Sequence, residues 1–170
     1  MNNRAWGLLV ADAAFVLDQG SKLFMLYGLG FASAPPGHVI QVLPFFNLVM
    51  VWNPGISFGL FPADSPSGTT FLAIFQVLAV LALIWWMWTS KSRLLALALG
   101  LVIGGALGNL VDRVVYGRVA DFFHFYAAGY NWYVFNVGDI AINLGVLGLL
   151  YDVLVKSAVP KIKTGKGSSP

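Results

Sequence analysis

Long apolar runs, each closed by a polar cluster, set the pattern of this chain. Four of them approach the ~20 residues that span a bilayer core. They run from about Ala5 to Tyr27, Thr70 to Trp88, Leu94 to Val111 and Phe135 to Val155. Within the third, Gly100, Gly104 and Gly108 recur at helical spacing. Such a small-residue stripe lets a neighbouring helix backbone come close in lipid. The same run ends in Asn109, Asp112 and Arg113, three and four apart and so on one side of one helix. The fourth run opens with FNVGDIAIN, whose Asn136, Asp139 and Asn143 fall at i, i+3 and i+7. The connector between these runs holds a further acid, Asp121. Two helix ends and a connector thus bring polar groups toward one interface, and their convergence predicts an active site there.

Between the first two spans, HVIQVLPFFNLVMVWNPGISFGLF is rich in β-branched and aromatic residues and broken by Pro44, Pro54 and Gly55. That composition predicts short strands and turns, lying on the membrane surface against the bundle. The connector's DFFHFYAAGY is an aromatic run suited to the headgroup level. Orientation follows from the basic residues. Arg4, Lys91, Arg93 and the tail lysines Lys156, Lys161, Lys163 and Lys166 fall on one side, and only Arg113 and Arg118 on the other. The positive-inside rule then puts both termini in the cytoplasm and the polar cluster outside. The expected fold class is an all-α membrane protein of four transmembrane helices, with a small β-like outer loop region and a short surface helix at the outer interface. One four-helix domain covers 1–159, with an outer loop at 28–69 and a connector at 112–134. Residues 160–170 form a basic tail whose composition predicts disorder. No small-residue cleavage site follows the first span, so a removed signal peptide is not expected.

Composition agrees and narrows the chemistry. Apolar residues make up 58% and charged ones 10%, and the mean hydropathy is +0.78, beyond a soluble domain. Cysteine and glutamate are absent, which excludes thiol nucleophiles, disulfides and Cys-ligated metals. His38 and His124 have no metal-ligand spacing. Neither metal nor cofactor is expected, and a Ser-His-Asp hydrolase has little to build with. The net charge of +3 reflects loop placement and does not indicate nucleic acid.

Ionisable groups in or beside membrane spans are costly and so have partners or a task. Asp18 and Lys22 are i, i+4 and can pair; a structural ion pair and a site role both remain open. Asp112 and Arg113 can mark an interfacial helix end, with Arg113 snorkelling toward headgroups. Asp139 can be a helix-start carboxylate favoured by the dipole, and Asp121 a loop acid or a cap. Asp12 and Asp152 are read as structural and His124 as an interfacial ring. Taken together, two acids on different elements can share a proton, since like charges a few Å apart cannot both ionise. One then serves as base on a water while the other, protonated, polarises a carbonyl. A transporter using Asp18, Lys22 and Asp112 as a relay is the rival, although transporters place polar groups near the midplane. A lipid-binding scaffold acting through Arg113 and Arg118 is a third reading.

Five motifs carry a resemblance over nearly the whole chain. In order they are DQGSK from Asp18 to Lys22, NPGISFG from Asn53 to Gly59, GGALGNLVDR from Gly104 to Arg113, VADF from Val119 to Phe122, and FNVGD from Phe135 to Asp139. With these boxes the chain resembles the bacterial lipoprotein signal peptidases, or type II signal peptidases. The resemblance implies a monomeric, multi-pass aspartic endopeptidase of the bacterial inner membrane, with its site at the periplasmic face. The implied substrate is a prolipoprotein whose lipobox Cys carries diacylglycerol, cut just before that Cys. The implied dyad is Asp121 and Asp139. Asn53, Gly55, Asn109, Arg113 and Asn136 match positions that bind substrate or steady the acids; Asp18, Lys22, Gly105, Gly108 and Asp112 match structural positions of the boxes. The resemblance also implies contact with membrane lipid and inhibition by globomycin-like peptides. The chain departs from the family pattern at Pro54, Gly138 and Ile140, where Thr, Ala and a hydroxyl residue are usual. The first two alter loop geometry or helix entry, and the third removes a hydroxyl near the dyad.

Overall fold

The computed structural model describes residues 2–55, 66–127 and 129–158. Its elements are α1 (Asn3–Leu23), a π-helical turn (Phe24–Gly28), β1 (Ile40–Leu43), β2 (Phe46–Asn53), α2 (Pro66–Thr89), α3 (Arg93–Tyr116), β3 (Val119–Ala127), β4 (Tyr130–Asn131) and α4 (Val137–Ala158). Of the predicted boxes, Ile56 to Gly59 lie outside the described residues, as do Asp64 and the 160–170 tail.

The helices begin and end where local chemistry lets them. The Asn2 side chain accepts the Ala5 amide at the start of α1, and Ser92 accepts Leu95 at the start of α3, each satisfying a donor that has no partner inside the helix. Gly117 ends α3 at φ +71°, a left-handed conformation that glycine adopts without penalty. Among the described residues, three helices, over Ser67–Thr89, Arg93–Tyr116 and Val137–Leu154, are long and apolar enough to cross a membrane. Their outward faces carry large apolar side chains such as Phe71, Leu78 and Leu147, as lipid contact requires. In α1 the same length is interrupted by Arg4, Asp12, Asp18 and Lys22.

The central helix is α3, which packs against α1, α2 and α4. Its glycines explain how. A methyl group at Gly100 would collide with the Gly7 carbonyl oxygen, one at Gly104 with the Ala11 carbonyl, and one at Gly108 with the Asp18 carboxylate. The contacts advance together along both helices, so α1 runs parallel to α3. On the opposite face Gly105 meets Gly138, and Val102 and Ala98 meet Gly145, an antiparallel contact with α4. Close backbone approach replaces a hydrophobic driving force that lipid cannot supply. Leu99, Ile103, Val80 and Met87 fill the space between.

At one end of the bundle a four-stranded antiparallel sheet, ordered β1-β2-β3-β4, closes over it. Strands in the first loop match the expectation. The short surface helix expected at the outer interface is not seen among the described residues: the connector forms a strand over Val119–Ala127, and α3 continues to Tyr116, beyond Val111. The reason is pairing. VADFFHFYA has β-branched and aromatic side chains that fit a pleated surface, and β2 supplies a partner, with Val51 opposite Asp121 and Asn53 opposite Val119. Alternation then sends Phe122 into a cluster with Met25 and Phe31, leaving Asp121 on the other face.

Candidate active site

Asp121 is buried to 1% exposure and shares its sheet face with Asn53. Asn53 Nδ2 donates to Asp121 Oδ2 at 3.0 Å and also to the Tyr133 hydroxyl at 3.3 Å. After β4 the chain returns to β3: Phe122 and Phe123 both donate their amides to the Phe135 carbonyl, at 3.1 and 2.8 Å. That clip delivers the next residue, Asn136, to Asp121.

Asn136 begins α4 as half of a reciprocal cap. Its Oδ1 accepts the Asp139 amide at 2.9 Å, while its own amide donates to Asp139 Oδ2 at 3.2 Å, a capping box made of Asn and Asp. An N–H on its oxygen fixes which end of the carboxamide is NH2. That end donates to Asp121 Oδ1 at 2.6 Å and to Asn109 Oδ1 at 3.2 Å. Asn109 Oδ1 also accepts from Lys22 Nζ at 2.9 Å. Lysine can only donate, so it turns the Asn109 NH2 toward Asp139 Oδ1, 3.1 Å away. One amide relay, Asn136 to Asn109, therefore joins Asp121 to Asp139.

Asp139 occupies the first turn of α4, where the helix dipole and two N–H donors suit a carboxylate. Asp121 lies in β3, outside the helices, and its pKa is pushed up to about 7. Burial is the main cause and the nearby Asp139 charge the second; the amides of Asn53 and Asn136 and the Lys22 charge oppose them. Of the two open readings of Asp139, helix start and site acid, the geometry accommodates both.

Behind the relay, Lys22 Nζ lies 2.7 Å from Asp18 Oδ2 and 2.9 Å from Asp112 Oδ2. Asp18 Oδ1 accepts the Gly138 amide at 2.7 Å, and Asp112 Oδ2 accepts the Ala120 amide at 3.0 Å. The first box therefore pins the residue before Asp139, and Asp112 pins the one before Asp121. A methyl at Gly138 would lie 3.0 Å from both Asp18 Oδ1 and the Gly105 oxygen, so glycine keeps that junction tight.

Arg113 turns inward rather than snorkelling. Its Nη2 donates to the Gly55 carbonyl at 2.6 Å, tying α3 to the turn after β2, which the Asn53 side chain closes by accepting the Gly55 amide at 3.0 Å. Its Nη1 reaches Gln76 Oε1 at 3.2 Å, and Gln76 Nε2 donates to the Ala106 carbonyl at 2.6 Å. Asn109, Asp112 and Arg113, side by side in the sequence pattern, thus serve three different neighbours. Gln76 escaped the reading of the sequence, although a lone amide inside an apolar span is the signal that finds it. Asp152 is buried and accepts from Ser92 Oγ at 2.8 Å, which agrees with a structural role; Asp12 is exposed on α1. His124 stacks on Tyr126 and lines a cavity with Asp121.

Among the described residues, three cavities reach the acids. One of about 530 Å³, lined by Trp52, Asn53, Pro54 and Tyr133, opens on Asp121. A second of about 440 Å³ lies among α2, α3 and α4 and ends at Asn109, Arg113 and Asp139. A third, of about 340 Å³, runs between α4 and residues 132–135 and also ends at Asp139. Ile140 lines this last one.

Comparison with known proteins accords with this arrangement. Residues 10–155 match the family described as signal peptidase (SPase) II. A lipoprotein signal peptidase of Rhodopseudomonas palustris (strain ATCC BAA-98 / CGA009) is 50% identical over 153 residues, 88% of this chain and 92% of that protein. One from Nitrobacter hamburgensis is 47% identical over 161 residues, 91% of this chain and 95% of its own length. A solved bacterial membrane enzyme superposes with a TM-score of 0.77 at 25% identity, covering 96% of this chain and 94% of that one.

Proposed function

This chain belongs to the signal peptidase II family, and from that premise we propose that it removes signal peptides from diacylglyceryl-modified prolipoproteins with Asp121 and Asp139 as its catalytic pair. The observation that carries the assignment is the amide relay: two acids from different elements meet through Asn136 and Asn109, and cavities open onto both. Asp139 takes a proton from a water whose oxygen attacks the carbonyl before the lipidated Cys. Asp121, whose raised pKa keeps the shared proton near neutral pH, gives it to the carbonyl oxygen as the tetrahedral centre forms. When the C–N bond breaks, the proton taken up by Asp139 passes to the leaving amine, and a gem-diol hydroxyl returns its proton to Asp121 as the carbonyl re-forms. Lys22, Asp18 and Asp112 hold the supports of both acids, while Asn53, Gly55 and Arg113 shape the edge of the peptide cleft.

The protein works as one four-helix domain over 1–159, monomeric in the inner membrane, with its cytoplasmic termini opposite a periplasmic site. The parallel α1–α3 and antiparallel α3–α4 contacts support this topology, and the basic residues Arg4, Lys91 and Arg93 at the far end support its orientation. Globomycin-like peptides would compete for the same cavities. The test is cleavage of a diacylglyceryl lipopeptide by the purified protein. Asp121→Asn and Asp139→Asn should each lower kcat on the order of 10²–10⁴-fold with unchanged circular dichroism. Near-normal turnover by either variant would overturn the dyad.

A further inference from the structure

Asn143 stands apart from the network around the acids. It lies four residues beyond Asp139 on α4, about 6 Å deeper at ~1.5 Å per residue. Its side chain is exposed on a face otherwise formed by Ile140, Leu144 and Leu147. An amide facing hydrocarbon is costly unless something there hydrogen-bonds to it. Its Nδ2 donates to the Asp139 carbonyl at 2.8 Å. That oxygen can only accept, which fixes the carboxamide's orientation. Among the described residues, the second N–H and Oδ1 remain for a ligand.

Asn143 and Asp139 are the residues that the two intramembrane cavities share. The larger is lined by Gln76, Asn109 and Arg113, groups suited to a peptide backbone. In the smaller, Trp132, Phe135, Ile140 and Leu144 surround the same two polar residues. Besides Asp139, Asn143 and the Tyr133 hydroxyl, its lining is aromatic and aliphatic.

We propose that Asn143 is a specificity residue: it donates its second N–H to an ester carbonyl of the substrate's diacylglyceryl arm, seated in the cavity between α4 and residues 132–135. This rests on the lipoprotein peptidase reading above. An ester carbonyl accepts a hydrogen bond, and an ether-linked arm has no carbonyl to offer.

The experiment uses the full chain in alkyl maltoside micelles without ester lipids, and two lipopeptides identical except for diacyl or dialkyl linkage. The wild-type protein should favour the ester substrate by about five- to tenfold in kcat/KM, the worth of one hydrogen bond. In Asn143→Leu the ratio should fall to about one, and Asn143→Ala gives the same readout if the leucine variant does not fold. A ratio near one in the wild type, or a preference that survives both substitutions, would overturn the assignment. So would a preference that arises only on adding ester phospholipid, since the amide would then be binding bulk lipid. Cleavage of neither substrate by the wild type would instead overturn the peptidase reading itself, and this proposal with it.

Discussion

Replacing Lys22 by methionine should damage both stability and turnover, for reasons readable from its contacts. Nζ lies 2.7 to 2.9 Å from Asp18, Asp112 and Asn109, and the two carboxylates are 0 and 1% exposed. Methionine fills similar space but donates nothing. Among the described residues, it leaves the two buried carboxylates with the Gln19 side chain and the Gly138 and Ala120 amides. Removing one partner of a buried ion pair costs ~3–5 kcal/mol, because the charge left behind is uncompensated. Pairing Lys22→Met with Asp112→Asn removes one orphaned charge, so the double variant should recover ~1–3 kcal/mol relative to the sum of the singles. The function should fall separately. Without the cation, Asn109 Oδ1 loses its shorter bond and keeps the 3.2 Å one from Asn136. Its amide is then held less firmly against Asp139, and kcat should drop about tenfold, as when an orienting hydrogen bond is lost. Unfolding in mixed micelles, followed by circular dichroism alongside cleavage rates, measures both. Additivity within ~0.5 kcal/mol together with an unchanged kcat would refute the idea that Lys22 organises both acids.

The raised pKa of Asp121 also predicts a pH dependence. Its folded value, about 7, lies above the ordinary 3.8, so the native state holds the proton more tightly. The resulting stabilisation is complete below about 3.8 and is lost as pH rises through about 7. Asp121→Asn should flatten that part of the stability curve, and an unchanged slope would count against it; wild-type cleavage should decline on the alkaline side as the shared proton leaves. Glycine substitutions separate packing from propensity. Gly20 has nothing within 4 Å of an added Cβ, so Gly20→Ala should stabilise by ~0.5–1 kcal/mol. Gly108→Ala drives a methyl into the Asp18 carboxylate and should cost ~1–3 kcal/mol; equal shifts in Tm for the two would contradict the packing. Gln76→Leu removes the bond that steadies Arg113 against Gly55. It should raise KM several-fold, by about the worth of one hydrogen bond, while kcat changes less; a selective loss of kcat would argue against this role.

Much of this protein was legible along the chain, because the relevant forces act between near neighbours. Apolar length marked the membrane-crossing helices, and glycines at helical spacing marked the face of α3 that α1 approaches. The i, i+4 spacing of Asp18 and Lys22 foretold their ion pair. Five short motifs pointed to the family that the comparisons show. Strands in the first loop could be anticipated from β-branched and aromatic composition, and the acids of the candidate site could be named.

Only the tertiary structure decided which groups those acids would meet. Nothing near Val119–Ala127 in sequence reveals that β2 will pair with it, and that pairing makes the connector a strand. Asn109, Asp112 and Arg113 look alike as a helical cluster. Their separate tasks depend on Asp139, Lys22 and Gly55, up to about 90 residues away, arriving at different sides of α3. The orientation of each carboxamide was decided last, by whether a donor or an acceptor reached it from another element. Hydrophobic periodicity is a one-dimensional signal. Hydrogen bonds between elements depend on their relative register and on distances set to a few tenths of an ångström, which arise only once the helices have packed.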